Sequence, residues 1–162
     1  LYLGKGKEGG ILQADRLEAF RRACADEGMR LSEVILGAEN EYHEQFGWHL
    51  QYCYDLLTRE LDLPTSATAA VCYNDTMALA LCAVLRDRGL RVPADMSVVG
   101  FDDLHADQGL PGLTTISHML QELGRSAVEL ALEMVEAEPD SPRRRTVPAE
   151  LVVRRSTAEA AR

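Results

Sequence analysis

The chain has 162 residues, enough for one ordinary domain with a buried core. Its 26 acidic and 17 basic side chains give a formal charge of -9, so these residues repel a nucleic-acid backbone instead of attracting one. Hydrophobic residues make up 46% and charged residues 27%, a balance that indicates a folded globular protein and excludes a disordered one.

The cysteines lie within apolar segments and include no C-x-x-C pair, which predicts buried thiols in a reducing compartment and no zinc site. They are Cys24, Cys53, Cys72 and Cys82. No apolar run is long enough to span a membrane, and the first residues lack the pattern of a signal peptide. We therefore expect a cytoplasmic protein without metal or cofactor, and a start at Leu1 indicates a piece of a longer chain.

Short apolar runs and helical patterns alternate from the first residues onward. Leu1–Gly4 reads as a strand, and a helix beginning at about Asp15 should end at Gly28. Leu31–Leu36 follows as a second strand. The next apolar residues recur at helical spacing and predict a helix over Tyr42–Leu61.

The same alternation continues through the middle of the chain. Thr68–Tyr73 is a predicted strand, after which Asn74 stands at the N-cap of a helix that ends at Gly89. Met96–Phe101 is the next strand. Strands that alternate with helices and are apolar throughout predict an α/β fold, in which a parallel sheet covered on both faces forms a three-layer sandwich.

Polar residues follow two of these strands directly, at the carboxyl edge where open parallel sheets bind ligands. Asn74 can cap its helix, or its amide can meet a ligand hydroxyl. Asp102 can accept two adjacent hydroxyls, as on a sugar ring, or serve as a turn residue or helix cap. Asp75 suits the helix dipole, and Asp103 is assigned to the turn.

A cation and two aromatic residues are further candidates for this edge. Arg16, placed by our prediction in the first turn of its helix, would oppose the helix dipole unless something holds it. It either pairs with a carboxylate such as Asp102 or receives ligand oxygens on its planar fork. Tyr42 can stack on a ring face of a ligand, and Trp48 is assigned to packing.

Catalytic signatures are weak in this sequence. No serine stands in a G-x-S-x-G turn, and the histidines do not bracket a candidate nucleophile. Asp102 and His105 could act as an acid and base pair, but no third member accompanies them. We expect no enzymatic activity. The basic run Arg143–Arg145 lies between two prolines and is assigned to a solvated turn.

Four stretches resemble one protein family and occur in its order: ADRLEAFRRACADEGM, PTSATAAVCYNDTMALALCAVLRDRGLRVPADMSVVGFDD, LPGLTTISHMLQELGRSAVELALEMVE and TVPAELVVRRST. They are similar to the effector-binding core of LacI/GalR-type bacterial transcriptional repressors, a core with the periplasmic-binding-protein-like fold of two α/β lobes. The resemblance implies an effector in the cleft between the lobes. It implies polar effector contacts at Arg16, Asn74 and Asp102, an aromatic lining position near Tyr42, and His118 near a segment that crosses between lobes.

The resemblance also implies a division of the chain. Residues 1–118 would form the second lobe, 119–140 a helix of a first lobe absent from this sequence, and 141–162 a return strand and tail. The implied function is sensing of a sugar, nucleoside or polyol by a repressor that contacts operator DNA only through an N-terminal helix-turn-helix outside this sequence. A solute-binding protein of a sugar transporter is the alternative, and an enzyme ranks third. Because an apolar stripe runs along Met119–Ala137, we expect the chain to form a homodimer through it.

Overall fold

The computed structural model describes most of the chain. The described residues are 1–5, 10–36, 49–63, 65–104, 112–136 and 143–159. At residues 5, 10–14, 35, 36 and 136 the description is limited to the backbone.

The described elements follow the order expected for an α/β protein. The first six are β1 (Tyr2–Lys5), α1 (Gly10–Asp26), β2 (Glu33–Leu36), α2 (Leu50–Glu60), β3 (Ala69–Cys72) and α3 (Asp75–Asp87). The remaining four are β4 (Ser97–Asp102), β5 (Thr114–Ser117), α4 (Leu120–Glu136) and β6 (Glu150–Val152).

The described strands form a single sheet with the order β2-β1-β3-β4-β5-β6. All neighbours are parallel except β6, which runs antiparallel to β5. In the register of the central strands, Val71 lies beside Val99, and Gly100 lies beside Thr115. The carboxyl ends of the parallel strands therefore meet along one edge of the sheet, as the sequence pattern predicts.

Helices cover both faces of the sheet because the strand order reverses after β2. Right-handed connections place α1 on one face and α2 with α3 on the other. The core lies mainly between α2, α3 and the central strands. Its fully buried side chains include Leu3, Leu57, Leu81, Leu85 and Val98. Burying one such side chain stabilises the fold by about 1.5–3 kcal/mol.

The predicted α/β class and the four predicted strands are confirmed, with boundaries shifted by one or two residues. The helix predicted over Tyr42–Leu61 is observed over Leu50–Glu60, and its predicted start lies outside the described residues. In contrast, α1 begins at Gly10 and not near Asp15. The helix extends toward the N-terminus beyond Asp15 because the residues before Asp15 include good helix formers and no proline.

The chain after β6 is anchored to the middle of the sheet. The buried Ser156 hydroxyl donates to the Val98 carbonyl at 2.6 Å and accepts from the Thr114 amide at 2.7 Å. Two residues earlier, Arg154 donates to the Leu113 carbonyl at 2.8 Å. These bonds place the Arg154 guanidinium next to the turn that follows β4.

Helix α4 differs from the others because much of its apolar surface is exposed. The exposed large side chains on it are Leu120, Leu123, Val128, Leu132, Met134 and Val135. On its polar side, Arg145 pairs with Glu129 and Glu133 at 2.8 and 2.6 Å, which ties the segment before β6 to the helix. None of the helices in the described ranges is long and apolar enough to cross a membrane.

Candidate functional site at the carboxyl edge of the sheet

Four residues predicted to contact a ligand lie at the carboxyl edge of the sheet or on the helix beside it. Asn74 follows β3, Asp102 ends β4, and His118 follows β5. Arg16 reaches the same edge from α1, where it contacts residues that belong to β4 and to the end of β3. The structure thus brings together the polar residues that the sequence placed at separate strand ends.

Arg16 is held by aromatic surface and one carbonyl. Its guanidinium carbon lies 3.7 Å from the Phe101 ring centroid and 5.6 Å from that of Tyr73. One terminal nitrogen donates to the Tyr73 carbonyl at 3.2 Å. Cation–π contact of this kind stabilises a partly buried guanidinium, and the Tyr73 carbonyl is the one hydrogen-bond acceptor that the described residues offer it.

The expected first-turn position of Arg16 is wrong, and one of the two alternatives for its cation is not observed. Because α1 begins at Gly10, Arg16 lies well inside the helix, and the dipole conflict of a first-turn position does not arise. Within the described part of the chain Arg16 also forms no ion pair with Asp102. Its cation is therefore stabilised by ring faces, and the alternative in which its fork receives ligand oxygens stays a prediction.

Asn74 is the N-cap of α3, as the sequence predicts. Its backbone is extended, with φ -151° and ψ 176°, and its side-chain oxygen accepts from the Met77 amide at 2.9 Å. The cap occupies the oxygen but leaves the amide N–H₂ group without a hydrogen-bond partner among the described residues. An Asn in this state can donate to a ligand oxygen without leaving the helix.

Asp102 ends β4 in an uncommon conformation and is paired with His118. Its φ is 110°, in a region that L-residues rarely adopt. His118 Nε2 lies 3.3 Å from Asp102 Oδ1, and the His118 ring packs edge-on against Phe101 with centroids 4.9 Å apart. Both side chains are partly exposed, at 28% for Asp102 and 38% for His118. Part of the Asp102 side chain is therefore accessible to solvent.

Asp75 lies just behind this edge and is 3% exposed. Its Oδ1 accepts from the Thr115 hydroxyl at 2.5 Å, and its Oδ2 accepts from the Leu104 amide at 3.1 Å. Burial raises the pKa of Asp75 above its ordinary value, the two hydrogen bonds oppose that rise, and the nearby Asp102 carboxylate adds to it. The dipole role assigned from sequence is thus incomplete, since Asp75 also joins α3 to β5 and to the turn after β4.

The remaining predicted residues have different outcomes. Tyr42, Trp48 and His105 lie outside the described residues. Phe101 contacts both Arg16 and His118, although the sequence pattern places it only at a strand end. This role of Phe101 could have been predicted from the sequence, because Phe101 is an aromatic residue directly before the candidate ligand carboxylate of Asp102. The pairing of Asp103 with Arg154 at 2.8 Å joins residues far apart in the sequence and has no comparable local signal.

The cysteines are buried free thiols. Burial raises the pKa of Cys53 to about 12 and that of Cys82 to about 11, and it raises the pKa of Cys72 strongly. These thiols stay protonated near neutral pH and are poor nucleophiles and poor metal ligands. In the described ranges, no three histidine, cysteine, aspartate or glutamate side chains come together as a metal site.

The sheet is mostly parallel, and an arginine, an asparagine, a carboxylate and a histidine lie along its carboxyl edge, where open α/β sheets generally bind ligands. The family described as periplasmic binding protein-like domain matches residues 2–157, and the chain belongs to this family.

The relatives support the resemblance that the sequence motifs carry. The repressor named "HTH-type transcriptional repressor PurR" of Haemophilus influenzae (strain PittEE) is 35% identical over 147 residues, covering 87% of this chain and 41% of the repressor. The chain thus spans about two fifths of the length of this curated relative. The resemblance to LacI/GalR-type regulators is confirmed, and the matched portion is one part of such proteins.

Two solved structures of transcriptional regulators share the fold and carry sugars, and the first is a LacI family regulator. One, from Enterococcus faecium with bound ribose, is 25% identical with a TM-score of 0.79, covering 99% of this chain and 56% of that one. The other, the regulator CelR in complex with cellobiose, is 26% identical with a TM-score of 0.71, covering 95% of this chain and 46% of that one.

Proposed function

We propose that this chain is one lobe of the effector-binding core of a transcriptional repressor and binds a sugar or a similar polar molecule. The observation that carries the proposal is the grouping of Arg16, Asn74, Asp102 and His118 at one sheet edge. In this proposal, hydrogen-bonding atoms of these four side chains that no described residue occupies contact the ligand. A carboxylate, an amide and a guanidinium together match the paired hydroxyls of a sugar, nucleoside or polyol.

Aromatic surface beside these polar groups supports a sugar or nucleoside ligand. Phe101 presents one face to Arg16 and contacts His118, so an aromatic ring lies beside two of the four polar side chains. The ribose and cellobiose complexes of related regulators agree with this class of ligand. Ligand binding in a cleft between this lobe and a second one would then alter DNA binding elsewhere in the repressor.

We further propose that the parent protein is cytoplasmic and contacts operator DNA through a separate N-terminal helix-turn-helix. The charge of -9 leaves this portion unsuited to bind a phosphate backbone. Four buried free thiols are consistent with a reducing compartment. The alternative is a solute-binding protein of a sugar transporter, which shares the family fold but would be exported to an oxidising compartment.

Catalysis is not part of the proposed function. Asp102 and His118 are close enough to exchange a proton, but neither contacts a candidate nucleophile in the described part of the chain. The curated relative is a repressor and not an enzyme. We therefore assign the Asp102–His118 pair to ligand binding.

The division of the chain implied by the resemblance is also a proposal. We assign residues 119–140 to an adjoining first lobe, residues 1–118 to the lobe described above, and residues 141–162 to its return strand and tail. The exposed apolar surface of α4 supports this assignment, because an isolated lobe leaves Val128 and Val135 61% and 84% exposed. The same surface supports a homodimer when no first lobe covers it.

A thermal-shift titration tests the proposed ligand class. D-ribose, cellobiose and a nucleoside panel are added to the wild-type chain and to Asp102→Asn. Asp62→Asn is the control, because Asp62 is exposed and precedes β3, whereas Asn74 and Asp102 lie at the carboxyl ends of strands. A ligand at a hundred times its Kd adds about 2.7 kcal/mol of stability. We expect a shift for at least one compound in the wild type and in the control, and a smaller shift in Asp102→Asn. Equal shifts in all three proteins would contradict the site.

A further inference from the structure

The turn that carries Asp102 is strained and must be held in place. Asp102 has φ 110° and the following Asp103 has φ 58°, so two consecutive non-glycine residues lie in the left-handed half of backbone space. L-residues enter this region at a cost, and they stay there only when the surrounding structure fixes them. The orientation of the Asp102 carboxylate therefore depends on whatever holds this turn.

Among the described residues, two contacts hold the part of the turn that follows Asp102, one at Asp103 and one at Leu104. Arg154 donates to the Asp103 carboxylate at 2.8 Å, and its guanidinium is also bonded to the Leu113 carbonyl. Asp75 accepts from the Leu104 backbone amide at 3.1 Å. The first contact joins two partly exposed side chains, whereas the second fixes the backbone itself from a buried group.

Asp75 is well suited to this task because it is fixed at three points. Its backbone begins α3, its Oδ1 accepts a hydrogen bond from Thr115 in β5, and its Oδ2 accepts one from the Leu104 amide in the turn after β4. Gly100, in β4, leaves the space that the carboxylate fills. A carboxylate buried without an ion pair in the described part of the chain is costly, so helix stability alone does not explain it.

We propose that Asp75 is a positioning residue, which fixes the turn at residues 102–104 and thereby aims the Asp102 carboxylate at the ligand. The ligand part of this inference rests on the proposed function, whereas the positioning part concerns this chain alone. Asp75 itself does not touch the ligand in this proposal. Its effect on binding passes through the Leu104 amide and the left-handed backbone of Asp102.

NMR of the wild-type chain and of three variants tests the positioning without any ligand. Asp75→Ala removes both bonds. Asp75→Asn retains one oxygen for the Leu104 amide and an N–H₂ group for the Thr115 hydroxyl, and so serves as the conservative rescue. Val84→Ala is the control, since it lowers stability from within the same helix at a buried position away from the turn. Two quantities are measured: the hydrogen-exchange rate of the Leu104 amide, and the φ-dependent scalar couplings between the amide and α protons of Asp102 and Asp103.

We expect Leu104 exchange in Asp75→Ala to rise by at least about tenfold relative to the α3 amides, as the loss of one hydrogen bond implies. The Asp102 and Asp103 couplings should leave their left-handed values, and Asp75→Asn should restore both readouts. If Asp75→Ala does not fold, Asp75→Ser replaces it, because serine suits a helix start but is too short to reach both partners. If Leu104 exchange and the Asp102 and Asp103 couplings in Asp75→Ala match those in Val84→Ala, the proposal is overturned.

Titration with D-ribose then separates this inference from the proposed function. If the wild type binds D-ribose, we expect Asp75→Ala to bind about tenfold or more weakly, while Asp75→Asn and Val84→Ala bind nearly as well as the wild type. Equal binding by Asp75→Ala would overturn the link to the ligand. If the wild type does not bind D-ribose, the proposed function fails for that sugar, and the exchange and coupling data still decide whether Asp75 positions the turn.

Discussion

The missing side chain of Gly100 leaves the space that the Asp75 carboxylate occupies, just behind the candidate site. A Cβ at Gly100 would overlap Oδ1 of Asp75 and would lie 2.7 Å from Cδ2 of Leu113 and 3.3 Å from Cα of Asp75. Two of these three neighbours are fixed, because the Asp75 carboxylate is bonded on both oxygens and its Cα belongs to α3. Glycine in this strand is thus required by close approach and not by a turn.

Gly100→Ala should therefore destabilise the protein by about 1–3 kcal/mol, the usual cost of overpacking, and weaken ligand binding with it. Gly124→Ala is the matched control, because Gly124 is in α4 and a methyl group added there would have nothing within 4 Å. This change should raise stability by up to about 1 kcal/mol through helix propensity. Urea unfolding of both variants measures the difference, and similar effects from the two substitutions would contradict the packing argument.

Much of this site could be predicted from local sequence. An N-cap asparagine after an apolar run and an aspartate at the end of the next run both obey short-range rules, and parallel strands bring their ends to one edge. For this reason Asn74 and Asp102 are found where the pattern placed them. The strand and helix order followed from the same periodicity.

Features that depend on contacts between distant residues could not be predicted in this way. Asp102 has a left-handed φ, and the turn that it begins is contacted at Leu104 by Asp75 and at Asp103 by Arg154, which are both remote from it in the sequence. Strand β5 was not predicted as a separate strand because Thr114 and Thr115 are polar. Their hydroxyls are satisfied by Thr157 and Asp75, which an apolar pattern does not reveal.

Asp102→Gly should separate stability from binding. Glycine adopts φ 110° without strain, so relief of the backbone should raise the free energy of unfolding by about 1 kcal/mol. The same change removes the carboxylate and should abolish the response to any ligand found in the thermal-shift screen. Asp102→Ala removes the carboxylate while keeping the strain, so it should lose binding without gaining stability. Chemical unfolding and isothermal titration test both statements, and intact binding by either variant would remove Asp102 from the site.

Asn74 should show two separable roles. Asn74→Ala removes the acceptor for the Met77 amide and should cost about 0.5–2 kcal/mol of stability. Asn74→Asp keeps a capping oxygen but replaces the N–H₂ donor, so it should retain stability and lose ligand affinity. Thermal unfolding and ligand titration are compared for the pair. Full affinity in Asn74→Asp would restrict Asn74 to its capping role.

The thiols should be unreactive while the protein is folded. Because the pKa of Cys53 is raised to about 12 and that of Cys82 to about 11, both stay protonated at pH 8, and burial also blocks access. A thiol reagent added at pH 8 should therefore label these two residues only after urea unfolds the chain. Mass spectrometry of the labelled peptides is the measurement. Fast labelling of folded protein at Cys53 would show that the core around α2 opens.

The exposed apolar side chains of α4 predict self-association through this helix. Val128 and Val135 are 61% and 84% exposed, and Leu132 between them is 58% exposed, so much of this side of the apolar stripe is open to water. Burying a side chain of this size is worth about 1.5–3 kcal/mol, and two helices that pack these stripes together would bury several. Glu129 and Glu133, which pair with Arg145, lie on the polar side of the helix and leave Val128 and Val135 exposed.

We therefore expect the wild-type chain to sediment as a dimer at micromolar concentration, and Val128→Glu together with Val135→Glu to make it monomeric. Met29→Glu is the control, since Met29 is an exposed apolar residue outside α4 and its substitution also adds one negative charge. It should leave the dimer intact. Because both valines are already exposed, their replacement should not lower the stability of the monomer. A monomeric wild type, or a dimer that survives both glutamates, would contradict association through this stripe.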